Sequence, residues 1–116
     1  MRLVAIVTIL LSLAGGASAS TASGFWGTVT IGPLQPVCSP DKPCDGPAPH
    51  VTLSFLRNGV VVKRVVTGDT GDYRILLRYG PYSVRASKGM SIRPSRVWAH
   101  QGLVAKLNFA IDTGIR

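Results

Sequence analysis

Few side chains in this chain of 116 residues could do chemistry, and their spacing limits what each could do. Cys38 and Cys44 are the only cysteines, with five residues between them. That interval fits neither the two-residue spacing of a dithiol redox motif nor a zinc knuckle, so a structural disulfide is expected. His50 and His100 are the only histidines, and Tyr73, Tyr79 and Tyr82 the only tyrosines. These are ligand types for iron, but no close His-x-His pair is present, and Tyr73 and Tyr82 fall on the core parity of their strands. Asp69 and Asp72 sit in a Thr/Gly-rich stretch. Calcium takes six to eight oxygen ligands, so the two aspartates are read as turn formers. Glutamate is absent and no serine stands in a G-x-S-x-G turn. No catalytic residue, metal site or cofactor is predicted, and the chain is not expected to be an enzyme.

Positive charge is the remaining functional signal. Thirteen Lys and Arg stand against five acids, all aspartates, for a formal charge of +8. Arg74, Arg78 and Arg85 are expected on the outward face of one hairpin, and Arg96, Trp98 and His100 along another strand. A basic stripe with an interleaved aromatic suits an anionic polysaccharide or another anionic component of a cell surface. The alternative, favoured because the arginines are spread along the chain, is that the charge only keeps the protein soluble and attracts anionic surfaces non-specifically, in a module with a structural role. No nucleic-acid motif accompanies the stripe, so no specific nucleic-acid partner is expected.

The elements that must position these residues are short strands. Abundant Val, Ile, Thr and Gly with no Glu disfavours helices and favours strands. Gly24 to Ile31 alternates, with Phe25 and Trp26 on opposite faces. Val51, Leu53 and Phe55 alternate with Thr52 and Ser54, and Asn58-Gly59 then predicts a type I′ hairpin turn. Val60 to Val66 is the return strand, and its apolar residues on both parities predict a strand covered on both faces. Thr67 to Asp72 is a turn. Tyr73, Ile75 and Leu77 form an inward row, Tyr79-Gly80 turns the chain, and Tyr82, Val84 and Ala86 continue inward. A two-residue turn there would set Leu77 against Tyr82, Ile75 against Val84 and Arg74 against Arg85, two like charges in direct opposition. Lys88 to Ser95 reads as a loop, Arg96 to His100 as a strand, and Leu103 to Ile111 as the clearest alternation in the chain. The sum is a seven-stranded all-β sandwich.

Residues 1–19 predict a signal peptide: Arg2, an apolar run from Leu3 to Leu13, then Ala17-Ser18-Ala19 with small residues before the cleavage point. The run is too short for a transmembrane helix, which needs about 20 apolar residues, so no membrane anchor is expected after cleavage. Residues 20–116 then make a single domain of about 97 residues, secreted or in the cell envelope. An oxidising compartment agrees with a Cys38–Cys44 disulfide. The pair staples the loop 32–49, which holds six of the eight prolines, and ties down the crossing from the first strand to the rest of the sandwich.

Thr67 to Tyr82, TGDTGDYRILLRYGPY, resembles the carboxypeptidase regulatory-like domains, whose signature is a Thr-Asp-x-x-Gly-x-Phe/Tyr turn followed by a Pro-Gly-x-Tyr turn. Asp69, Gly71, Tyr73, Gly80 and Tyr82 carry the likeness, with Tyr79 where the family usually has proline. The opening of the domain, with its G-P-x-x-P-V-C stretch, and the terminal Asp-Thr-Gly-Ile-Arg also look like small exported bacterial proteins of that group. The resemblance implies a transthyretin-like Greek-key sandwich and brings no catalytic residues. Hydrolases of transthyretin-like fold end in Tyr-Arg-Gly-Ser, whereas this chain ends Gly-Ile-Arg. A hydrolase using His and Arg side chains is the alternative reading, and it requires His50 and His100 to converge.

Overall fold

Alternating apolar and polar residues in short runs leave the backbone no way to bury one face except as sheet. In the computed structural model, which describes residues 22–115, ten strands form and no helix is present among the described residues. They are β1 (Gly24–Gly32), β2 (Gly46–Pro47), β3 (Thr52–Arg57), β4 (Val60–Val66), β5 (Asp72–Leu76), β6 (Gly80–Ala86), β7 (Ser91–Arg93), β8 (Arg96–Ala99), β9 (Val104–Lys106) and β10 (Phe109–Asp112). The predicted signal segment lies outside the described residues.

The strands form an all-β sandwich of two sheets. One runs β4-β3-β6-β8; the other runs β2-β1-β10-β7, with β5 and β9 also pairing β1. β3 and β4 are joined by the expected turn, with Asn58 at φ 53° and Gly59 at φ 79°, the left-handed pair that a type I′ turn requires. Phe55 centres the core, its ring centroid 6.3 Å from Phe25, 6.5 Å from Tyr82 and 6.2 Å from Phe109. Rings at these separations contribute beyond their buried area.

Ten strands replace the expected seven for identifiable reasons. The run Leu103 to Ile111 follows β1 in parallel throughout, but its ladder is interrupted at Leu107-Asn108, giving β9 and β10. There the Asn108 Oδ1 accepts the Thr28 N–H at 3.0 Å, a side chain standing in for the ladder. The expected loop Lys88 to Ser95 contains β7, which pairs antiparallel with β10. The stapled loop ends in β2, which returns along β1. The loop therefore closes a hairpin, and Ala48 to Val51 makes the crossing between sheets.

Two expectations about pairing are corrected. β5 and β6 do not form a hairpin: β5 pairs β1, and β6 pairs β3 and β8. The inward rows Tyr73-Ile75-Leu77 and Tyr82-Val84 belong to different sheets and contribute to one core. Alternation specifies which face a residue takes, not which strand lies beside it, and Gly80 at φ 127° carries the chain across. Second, β4 is an edge strand, with Val60, Val62 and Val66 exposed. A bulge opposite Phe55 and Leu56 leaves Val62 outside the register, a common edge device.

The sandwich has two ends. The hairpin end carries the turns Arg57–Val60, Leu77–Gly80 and His100–Leu103. The loop end carries the stapled loop and the segments Ala48–Val51, Thr67–Gly71 and Ser87–Met90. At the loop end Thr67, buried among apolar neighbours, donates its hydroxyl to the Ala48 carbonyl at 2.6 Å and accepts the Val51 N–H at 2.8 Å.

Candidate functional site

Cross-strand register on the outer face of the β3–β6–β8 sheet assembles the most developed surface feature. Ser83 of β6 lies between Leu56 of β3 and Arg96 of β8, and Pro81 lies opposite Trp98. Side chains alternate across a strand, so Leu56, Pro81, Ser83, Arg96 and Trp98 share the outward face. They line an open groove of about 660 Å³ together with Arg57, Asn58 and Gly59. Clefts that hold small ligands span about 300–1,000 Å³. Leu56 is buried yet stands apart from the sandwich core, forming the floor. Trp98 is 56% exposed. An adjoining hollow of about 400 Å³, lined by Arg57, Arg78, Tyr79, Pro81 and Trp98, extends the groove to the hairpin end.

Arg57 is held where the two hollows meet. Its Nη2 donates to the Tyr79 carbonyl at 2.7 Å and its Nε to the Pro81 carbonyl at 3.4 Å. The guanidinium lies 4.7 Å from the centroid of the Tyr82 ring, a cation–π contact. Gly80 makes room for it, because a Cβ at residue 80 would fall on the guanidinium. An arginine fixed by backbone acceptors and an aromatic face loses little freedom when an anion arrives.

Of the residues singled out in the sequence, Arg96 and Trp98 both line the groove, and Arg78 lines its extension. His100 is exposed beyond the end of β8, outside the groove lining. Arg74, Arg78 and Arg85 do not share one face. Arg74 is opposite Trp26 on the outer face of the other sheet, while Arg85 is opposite Ser54 on the β3–β6 face. The direct opposition of Arg74 and Arg85 disappears because β5 and β6 pair with different partners. The groove's remaining members, Leu56, Arg57, Tyr79, Pro81 and Ser83, carried no signal in the sequence beyond turn and strand character. Only register brings them together.

The histidines do not converge in the chain. His50 lies at the loop end, its imidazole Nε2 2.9 Å from Asp69 Oδ1, both side chains well exposed. His100 lies at the hairpin end, beyond the pairing of Ala99 with Gly80. The length of β6 separates them, on the order of 20 Å at about 3.3 Å per residue. Tyr73 and Tyr82 are in the core, as their parity predicts: the Tyr73 hydroxyl donates to the Leu107 carbonyl at 2.5 Å and that of Tyr82 to the Arg78 carbonyl at 2.7 Å. Burial pushes the Tyr73 hydroxyl well above the ordinary phenol range. Asp72 accepts the Thr70 hydroxyl at 3.0 Å within the turn expected there. No group of three metal-ligating side chains occurs among the described residues.

Cys38 and Cys44 form the disulfide, with Cα atoms 5.2 Å apart. Around it the loop bonds to itself: Ser39 and Lys42 exchange backbone hydrogen bonds at 3.0 Å, and Gln35 Nε2 donates to the Lys42 carbonyl at 2.6 Å. The stapled loop sits at the opposite end from the groove's Arg57 and Trp98. No protein-family model and no curated protein sequence matches this chain.

Proposed function

We propose that this is a non-enzymatic β-sandwich module, exported to the cell exterior, that binds an anionic polysaccharide along the β3–β6–β8 groove. The observation that carries the proposal is Trp98, half exposed in a groove whose walls present Arg57 and Arg96. Exposed tryptophan and arginine are the residue types that dominate binding energy at recognition surfaces. The indole offers a flat apolar face for the C–H side of a sugar ring, the Arg96 guanidinium can pair with carboxylate or sulfate oxygens in bidentate geometry, and Arg57, held by the Tyr79 and Pro81 carbonyls, adds fixed positive charge. The hollow lined by Arg78 and Tyr79 adjoins the groove at Arg57, Pro81 and Trp98, giving room for more than one sugar unit. The disulfide and the signal-like N-terminal sequence support export to an oxidising compartment.

The test is titration with alginate, an anionic polysaccharide, against dextran, a neutral one. The proposal predicts binding to alginate alone, weakened by salt. Trp98→Ala should reduce the affinity about fivefold or more, as expected of an aromatic anchor worth more than about 1 kcal/mol. Binding unaffected by Trp98→Ala and by Arg96→Ser would refute it.

A further inference from the structure

The two ends of the sandwich differ in charge. All five aspartates belong to the loop end: Asp41 and Asp45 in the stapled loop, Asp69 and Asp72 around the β4–β5 turn, and Asp112 paired in register with Gly32. The hairpin end has no acidic side chain among the described residues, whereas Arg57, Lys63, Arg74, Arg78 and Lys106 lie toward it. Lys63 Nζ donates to the Leu76 carbonyl at 2.9 Å, and Lys106 Nζ lies 5.5 Å from the centroid of the Trp26 ring. Exposed apolar side chains occur at both ends. Only at the hairpin end do they stand among cations without an acid.

Exposed apolar groups gather around the start of β1 at this end. Leu76 and Leu103 stand on either side of Gly24, which pairs with Leu76 and donates its N–H to the Leu103 carbonyl at 3.1 Å. Leu103 is 50% exposed and Tyr79 57%. Trp26 and Trp98 are both exposed on the two opposite outer faces of the sandwich. A ligand lying along one face can touch only one of them, whereas a surface approaching end-on brings both to its boundary. The chain also enters the fold here: Ser23 accepts the Leu77 N–H at 2.9 Å.

From this convergence we infer that the hairpin end is a docking surface for a bilayer with anionic headgroups. Aromatic rings such as Trp26, Trp98 and Tyr79 settle at the headgroup level, Leu76 and Leu103 enter just below it, and the cations pair with the headgroups. Each cation near such a surface strengthens binding by about fivefold. The aspartates face away. This surface shares Trp98, Tyr79, Arg57 and Arg78 with the groove and its extension, but it adds Trp26, Leu76 and Leu103, which lie outside them, and it does not depend on the groove being occupied.

Among the described residues the core runs from Phe25 to Ile111, and the chain is used from Ser20, the residue after the predicted cleavage point. It is sedimented with vesicles of phosphatidylcholine alone and with vesicles containing about one third phosphatidylglycerol. Binding to the anionic vesicles only, weakened by salt, is expected. Leu76→Asp with Leu103→Asp should reduce it about tenfold or more, with the thermal midpoint and alginate affinity retained. Val37→Asp with Met90→Asp makes the same charge change at the loop end, on side chains more than three quarters exposed, and should leave most of the binding intact. Equal losses in both double variants, equal binding to both vesicle types, or no vesicle binding would overturn the inference. Alginate binding without vesicle binding overturns this inference and leaves the groove reading standing; vesicle binding without alginate binding does the reverse.

Discussion

Thr67→Val tests whether a buried hydroxyl, rather than apolar packing, locks the two sheets together at the loop end. Valine matches threonine in volume, so the substitution opens no cavity and removes only hydrogen bonding. It strips the Val51 N–H and the Ala48 carbonyl of the hydroxyl that bonds to both, at 2.8 and 2.6 Å, in a position only 1% exposed. A buried polar group left unsatisfied costs about 1–3 kcal/mol, so the pair should cost about 2–6 kcal/mol. Domains of this size are stable by about 5–15 kcal/mol, so the loss should be large. Thr67→Ser keeps both hydrogen bonds and deletes one methyl group, at roughly 1 kcal/mol. Urea unfolding of the three proteins, followed by tryptophan fluorescence, gives the ranking. Serine is expected to be the milder change, and valine the more damaging, with the slope of the transition unchanged. A valine variant as stable as the serine variant would refute the argument.

Other outcomes follow from the same contacts. Tyr73 is un-ionised in the fold, with its pKa raised above the ordinary value of 10.0 by burial. Its stabilising contribution is complete below about pH 10, where the unfolded phenol is also protonated, and is lost as pH rises beyond that; stability measured against pH in the alkaline range should fall for the parent and less steeply for Tyr73→Phe. Reducing Cys38–Cys44 opens a small ring and should cost about 2 kcal/mol by loop entropy. Because the loop lies at the end away from Arg57 and Trp98, reduction should leave alginate affinity within about twofold, and a tenfold loss would place the loop in the binding surface.

Strand positions were largely legible because period-2 alternation records burial directly. Phe25, Leu53, Phe55, Tyr73, Ile75, Tyr82 and Val84 are buried where alternation places them. Partnership between strands was not legible. The rows of β5 and β6 satisfy the same alternation whether they lie side by side or in opposing sheets, and the short Tyr79-Gly80 turn favoured the wrong choice. Valines on both parities of β4 suggested burial on two sides, yet β-branched residues suit an extended edge without it. In the site, Arg96 and Trp98 were visible as a pair two residues apart on one strand. Arg57 was not, since its place beside Trp98 depends on the β3–β6–β8 register and on the Tyr79 and Pro81 carbonyls that hold it. Thr67 was hidden for a related reason: its sequence context is that of a turn, and its hydrogen-bond partners lie 16 and 19 residues away.

The most direct test of the binding account is a map of backbone amide chemical-shift changes during titration with alginate. Perturbations are predicted to concentrate at Arg57, Pro81 to Ser83 and Arg96 to Trp98, reported through their own amides or those of adjacent residues. They should be smaller at Arg74 and at Lys88 to Arg93, which are also basic but lie outside the groove. Changes spread evenly over every arginine and lysine, with Trp98 no more affected than the rest, would contradict a built site and leave only non-specific attraction by net charge.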